Sequence, residues 1–280
     1  MYHKNSKCKY NFINNYAILD TILDVIIDNI LIGVILDMSN TNGRYERQII
    51  LPEIGEAGQA KLAAASILVV GAGGLGAPVL QYLAAAGVGH IGVIDGDVVS
   101  ESNLNRQILY GDRDIGKEKA LLAAKRLEYL NKDIKITAIH KMLSDQNAPE
   151  IISGYDALAL CTDNLEARKI ANRACVGAKK PFVDGAVGGF YGTVITVVPG
   201  ETPCYECIQG AAVQPKGKIP ILGAMAAWIG CAEALTVIRL LLGANDPSRG
   251  AMLFFDGTQM TIERILLERN LGCACGSIFD

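Results

Sequence analysis

The sequence predicts a doubly wound α/β fold built on a large mixed sheet. From Ser66 onward, short continuous apolar runs of strand length alternate with helical stretches. A glycine-rich turn joins the first run to its helix, and the run over 191–198 alternates in hydrophobicity as an antiparallel strand does.

The elements follow in chain order. Ser66-Ile-Leu-Val-Val70 reads as a parallel strand buried on both faces, and a helix runs through 81–86 after the glycine turn. A second strand, 90–94, ends on Asp95. Residues 117–129 form a helix, 134–139 and 157–161 are strands, and another helix leaves Asn164. Residues 181–183 and 191–198 are further strands, and the long apolar helix 222–242 is buried on most sides. Strands 251–255 and 260–267 complete the sheet, with right-handed crossovers joining the parallel strands. There is no internal repeat and no low-complexity linker.

Composition narrows the function classes. The chain has 280 residues, 50% hydrophobic, with net charge −3. That balance argues against a general nucleic-acid grip, which needs a basic surface. Residues 1–42 are an extension rich in Ile, Asn and Asp, and 43–280 form the domain that carries the motifs. Within 17–37, Asp20, Asp24 and Asp28 recur every fourth residue opposite an Ile/Leu face. Each would cost about 3 kcal/mol at a bilayer centre, so the segment reads as an amphipathic helix and not a membrane span. It is either an extra packing helix or a stretch upstream of a translation start at Met38. Eight cysteines in a chain this long do not make a secreted disulfide scaffold. Close pairs among them read as metal ligands in a reducing cytoplasm.

Gly71-Ala-Gly73-Gly74-Leu-Gly76 lies between the first strand and its helix. These glycines allow a tight turn and close backbone approach, and the helix N-terminus offers free N–H groups to phosphate. Asp95 ends the second strand, where a carboxylate can accept from ribose hydroxyls. A bare structural glycine turn is the alternative. Arg106 follows the second strand, Lys119 opens the next helix, and Asp163 lies at the carboxyl end of a later strand. Two cations and an aspartate at that edge suit a triphosphate with Mg²⁺ better than NAD. Taken singly, the cations would be surface charges and Asp163 a helix N-cap. Cys204-x-x-Cys207 and Cys273-x-Cys275 supply four thiolates suited to a closed tetrahedral Zn²⁺ site.

The motifs Arg44-Tyr-Glu-Arg47-Gln-Ile-Ile, Gly-Ala-Gly-Gly-Leu-Gly, Asp95-Gly-Asp97, Asn103-Leu-Asn-Arg106-Gln107, Lys119, Cys-Thr-Asp163-Asn164 and Cys204-Tyr-Glu-Cys207 occur in one order. In that order they resemble the MoeB/ThiF family, bacterial relatives of ubiquitin-activating enzymes. The resemblance runs from Arg44 to the C-terminus. It implies a Rossmann-like adenylyltransferase that uses ATP to activate the C-terminal Gly-Gly carboxylate of a ubiquitin-like sulfur-carrier protein. Asp95 then matches the ribose-binding aspartate; Asn103, Arg106 and Lys119 the phosphate contacts; and Asp163 the Mg²⁺-associated aspartate. Asp97, Gln107 and Asn164 fall within the same nucleotide-binding motifs. Arg47 resembles an arginine that reaches the phosphates from the other subunit of a homodimer. The second cysteine pair is one residue shorter than the family's Cys-x-x-Cys.

The chemistry is consistent with this reading. A C-terminal carboxylate has a pKa of about 3.3 and attacks ATP already ionised, so no general base is required. His3, His90 and His140 lie in no motif, which leaves a His-dependent hydrolase unsupported. The crossover 208–222 contains no cysteine, so the expected product is an acyl-adenylate passed to a separate sulfur donor. Adenylation of a peptide or of a tRNA-modification substrate, an NAD-dependent oxidoreductase and a non-catalytic partner subunit are the rival readings.

Overall fold

The computed structural model describes residues 43–209, 217, 219–270, 272, 273 and 275. The amphipathic helix expected over 17–37 and most of the 208–222 crossover lie outside them. The chain divides into two compact units, the first ending at Glu56 and the second beginning at Ala57. In the first unit, helix α1 (Glu46–Ile49) follows Tyr45, and Tyr45 and Ile49 are buried one helical turn apart.

Helix α2 (Gly55–Ala64) leads into the second unit, which is built on one eight-stranded sheet. The strands are β1 (Ser66–Val70), β2 (His90–Ile94), β3 (Lys135–Ile139), β4 (Ala157–Leu160), β5 (Phe182–Gly188), β6 (Tyr191–Val197), β7 (Ala251–Asp256) and β8 (Thr261–Leu266). Their spatial order is β3-β2-β1-β4-β5-β6-β7-β8. Neighbours from β3 through β5 run parallel, and β6, β7 and β8 add antiparallel pairs. The mixed doubly wound sheet expected from the sequence is present.

The helices joining the strands are α3 (Gly76–Ala86), α4 (Lys119–Leu130), α5 (Ala148–Ser153), α6 (Leu165–Ala178), α7 (Tyr205–Gln209) and α8 (Gly223–Leu242). Strand residues alternate between two cores. Ile67 and Val69 of β1, with Ile91, Val93, Ala157 and Ala159, pack with α3, α4 and α8. Leu68 and Val70, with Ile94, Leu158, Leu160 and Phe182, pack with α5, α6 and α7 on the opposite face. The period-two pleat explains this: a strand covered on both sides must be apolar at every position.

Three differences from the sequence reading have local causes. β5 extends to Gly188 because antiparallel pairing with β6 continues beyond its parallel pairing with β4. Gly185 and Gly188 conceal that extension in the sequence. α4 begins at Lys119, since Glu118 is an extended N-cap bridged to Val98. The short helices α5 and α7 lack the length that makes a helical period readable. α8 is long and apolar enough to cross a membrane by composition alone. It is instead a core helix that carries a fully buried Glu233 and packs on α3, β5 and β6.

Candidate nucleotide site and cysteine cluster

The strand order reverses between β1 and β4, since β1 is followed by β2 and β3 on one side while β4 and β5 lie on the other. Ligands of doubly wound sheets bind outside the carboxyl ends of the strands at such a point. Gly71 follows β1 there, and residues 161–163 follow β4. The two exits run in contact. Gly71 has φ +98°, and a Cβ built on it would come within 2.7 Å of the Cys161 carbonyl oxygen. Only glycine satisfies both conditions.

Asp95 organises the turn. Its Oδ2 accepts from the Ala72 N–H at 2.8 Å and its Oδ1 from the Asp97 N–H at 2.8 Å. An ionised carboxylate has about four acceptor positions, so capacity for a ribose hydroxyl remains. Tyr110, which the sequence did not single out, closes the other side. Its buried hydroxyl lies 2.9 Å from the Ala72 carbonyl oxygen and 3.2 Å from that of Lys119, so the two carbonyls share its single O–H. Burial raises the Tyr110 pKa, so the hydroxyl stays a donor.

α3 begins at Gly76, and among the described residues no side chain caps its N-terminus. In its first turn the Ala77 N–H donates to the Gly73 carbonyl at 2.9 Å and Pro78 carries no N–H, so the turn presents the Gly76 N–H to an anion. Around this turn, the Arg106 stem lies against Gly74, where a Cβ would meet Cγ at 3.2 Å. Arg106 Nη1 donates to the Ser102 carbonyl at 2.9 Å and to Asn105 Oδ1 at 3.0 Å, which holds the guanidinium within its own loop. Gln107 faces Gly73 and is 5% exposed. Among the described residues its Oε1 has no hydrogen-bond partner. An orphaned buried acceptor costs about 1–3 kcal/mol; the Gln107 atom that faces Gly73 is its Nε2. Lys119 is 5% exposed, and its ammonium meets Asp97 Oδ2 at 3.2 Å. The paired Asp97 carboxylate is largely exposed.

Other expected site residues are placed differently. Asn103 Oδ1 accepts from the Ser100 N–H at 3.3 Å and closes a local 3₁₀ turn. Asn164, not Asp163, is the N-cap of α6, its Oδ1 accepting from the Glu166 and Ala167 N–H groups at 2.9 and 3.2 Å. Asp163 is thereby left out of the cap and exposed on the loop leaving β4. Arg47 is exposed on α1 in the first unit.

The four expected metal ligands meet despite the shortened second pair. The sulfurs of Cys204, Cys207, Cys273 and Cys275 lie within 4.8 Å of one another. Cys204–Cys273 and Cys207–Cys275 approach to 3.5 and 3.3 Å, and Cys204–Cys207 to 3.7 Å. Tetrahedral zinc with Zn–S of about 2.3 Å sets its sulfurs about 3.8 Å apart. The cluster could therefore hold a metal. Asn172 of α6 fixes the first pair: its Oδ1 accepts from the Tyr205 N–H at 2.9 Å, and its Nδ2 donates to Glu206 Oε2 at 3.0 Å.

A buried polar cluster beneath the crevice was not legible in the sequence. Glu233 of α8 accepts from the Cys161 thiol at 3.4 Å, and Gly185 leaves it room, since a Cβ there would overlap its carboxyl. Arg168 of α6 and Asp184 of β5 form a buried ion pair beside it. Burial pushes Asp184 up to about 6 against the pull of Arg168. Burial, reinforced by the Asp184 charge, raises Glu233 well above the usual carboxylate range. Its folded pKa thus exceeds its unfolded value of about 4.3. The stability it contributes is full below that value and is lost as pH rises towards the folded pKa, by at most about 1.4 kcal/mol per pH unit. Glu233→Gln carries no such burden. Its melting temperature is expected to match the wild type at or below about pH 4 and to exceed it increasingly up to pH 8, measured by calorimetry. A difference independent of pH would refute a neutral Glu233.

The fold and these sites define a doubly wound α/β protein with an anion-ready glycine turn at its switch point and a four-thiol cluster. Residues 45–275 match the ThiF family model, and the chain belongs to the ThiF family. It is 41% identical over 245 residues to a sulfur carrier protein adenylyltransferase of Thermus thermophilus, covering 83% of this chain and 90% of that protein. It is 39% identical to a SAMP-activating enzyme E1 of Haloferax volcanii, covering 83% of this chain and 88% of the relative. It is 42% identical to the adenylyltransferase and sulfurtransferase MOCS3 of Mus musculus over 81% of this chain, and there it spans only 50% of the relative's length. Among solved structures, E. coli MccB with ATP superimposes with a TM-score of 0.78 at 22% identity. That match covers 96% of this chain and 83% of the other, and it establishes the shared fold.

Proposed function

We propose that this chain is an ATP-dependent adenylyltransferase acting on the C-terminal Gly-Gly carboxylate of a ubiquitin-like sulfur-carrier protein in the cytoplasm. The observation that carries this reading is the uncapped α3 N-terminus at the β1/β4 switch point, with Arg106 and Gln107 against its glycines and Lys119 tied to the same turn through Tyr110. The names of the Thermus and Haloferax relatives support the substrate class.

In the reaction a carboxylate oxygen attacks the α-phosphorus. The bond from that phosphorus to the bridging oxygen breaks, and pyrophosphate leaves with the electron pair. The carboxylate arrives ionised, so the site's burden is alignment and neutralisation of developing charge. The Gly76 N–H at the start of α3 holds a phosphate oxygen, and Arg106 and Lys119 supply positive charge. Lys119 exchanges Asp97 for a phosphate oxygen. Asp163, exposed outside the α6 cap, suits Mg²⁺, which bound with ATP screens the phosphate charges. The four cysteines suit structural Zn²⁺, with every coordination position taken by thiolate. Arg47 acts across a homodimer.

Because the 208–222 crossover lacks cysteine, the enzyme stops at the acyl-adenylate and a separate sulfur donor takes it. The test is ATP–pyrophosphate exchange with a panel of carriers ending in Gly-Gly, followed by intact-mass spectrometry. Exchange is expected with at least one carrier, together with a carrier-AMP adduct and no thiol-sensitive enzyme–carrier conjugate. Absence of carrier-stimulated exchange overturns the function; a dithiothreitol-labile conjugate overturns the stop at adenylate.

A further inference from the structure

Arg168 is 6% exposed, and all five of its guanidinium N–H donors have acceptors. Nη1 donates to both oxygens of Asp184. Nη2 donates to the Gly185 carbonyl at 2.8 Å and to the Thr162 carbonyl at 2.6 Å, and Nε reaches the same Thr162 carbonyl at 3.1 Å. The Tyr205 ring lies 6.0 Å from the guanidinium carbon.

Two of these five bonds converge on Thr162, the residue before Asp163. The peptide unit is planar, so fixing the Thr162 carbonyl also fixes the direction in which the chain enters Asp163. On the other side the Asn164 N–H donates to Thr162 Oγ1 at 3.1 Å, and the Asn164 side chain caps α6. Asp163, itself exposed, is therefore bracketed by anchored neighbours. Fold stability alone does not call for a buried ion pair here, because apolar residues of similar volume commonly serve as well. Lysine could pair with Asp184 but lacks the planar fork that reaches both carbonyls.

We propose that Arg168 is a positioning residue for the nucleotide site, holding the Thr162 carbonyl so that the Asp163 carboxylate is preset for the divalent cation that accompanies ATP. The inference rests on the reading of Asp163 as the cation's carboxylate. Direct ligands and the groups that orient them act as one unit, and loss of an orienting group typically costs 10–100-fold in metal affinity.

The test uses the full chain with a non-hydrolysable ATP analogue and Mn²⁺ as probe, free Mn²⁺ being followed by electron paramagnetic resonance. Arg168→Lys and the charge-neutral pair Arg168→Met/Asp184→Asn are compared with Asp163→Asn, each checked by thermal melting. Both Arg168 variants are expected to bind Mn²⁺ at least about tenfold more weakly, with metal-free analogue affinity within about twofold of wild type. Adding Arg168→Lys to Asp163→Asn is expected to weaken Mn²⁺ no further. If Asp163→Asn weakens Mn²⁺ while folded Arg168 variants do not, the positioning role is overturned and the nucleotide reading stands. If Asp163→Asn leaves Mn²⁺ unchanged, the reading of Asp163 fails and the inference falls with it. Loss of folding in both Arg168 variants overturns the inference in favour of a purely structural ion pair.

Discussion

Lys119→Ala, Arg106→Ala and Asp163→Ala are each expected to lower carrier-dependent ATP–pyrophosphate exchange by at least about a hundredfold while the protein stays folded. Removing one preorganised charge-stabilising group commonly costs 10²–10³ in rate. Lys119 is the sharpest case. Its ammonium is buried, yet its partner Asp97 is largely exposed, so truncation leaves no carboxylate stranded in the core. The loss should therefore fall on turnover and not on folding. Asp97→Asn provides the contrast, because it frees the ammonium from its resting partner without removing it. Steady-state exchange alongside circular dichroism distinguishes these outcomes, and near wild-type exchange in all three alanine variants would sink the assignment.

Replacing Cys204 and Cys207 by serine is expected to abolish bound zinc and to lower the melting temperature by more than about 10 °C. Cys204 precedes α7 and Cys207 lies within it, and each meets a cysteine of the second pair 69 and 68 residues further along the chain. A metal joining them ties that late segment to the α6 face of the sheet through Cys204, Tyr205 and Asn172. In small metal-held domains, binding free energy is folding free energy. A loss of several kcal/mol in a domain of this size shifts melting by roughly 2–4 °C per kcal/mol. Elemental analysis should find about one zinc per chain in the wild type. Metal-free protein with an unchanged melting temperature would show that the shortened Cys273-Ala-Cys275 pair no longer binds.

Much of the fold was legible because it depends on local pattern. Ser66–Val70 and His90–Ile94 are apolar at nearly every position because helices cover both their faces, and the glycine turn marks where β1 hands over to α3. The four cysteines were legible by residue chemistry, since four thiols in two close pairs have few other uses in a chain of this composition. Arg168, Asp184 and Tyr110 were not. A lone charged or aromatic residue has the same appearance in sequence whether it lies on the surface or at the centre of a buried network. Arg168 meets Asp184 only because β4 and β5 are neighbours, and it meets Thr162 only because α6 folds back over the strand end that launches it.

The sequence by itself determined the doubly wound mixed sheet, the glycine turn and the residue types available for phosphate and metal. Backbone periodicity and ligand chemistry are properties of short segments, and short segments carry them wherever they lie. Tertiary structure alone decided which groups are held, and by what. It assigned the α6 cap to Asn164 instead of Asp163, paired Lys119 with Asp97, drew the sulfurs of the shortened cysteine pair to within 4.8 Å of those of the first, and placed the buried Glu233 carboxyl against Gly185 beneath the crevice. The physical reason is burial. Desolvation and hydrogen-bond satisfaction depend on neighbours brought together across the sheet, and neither has a value until the chain has folded.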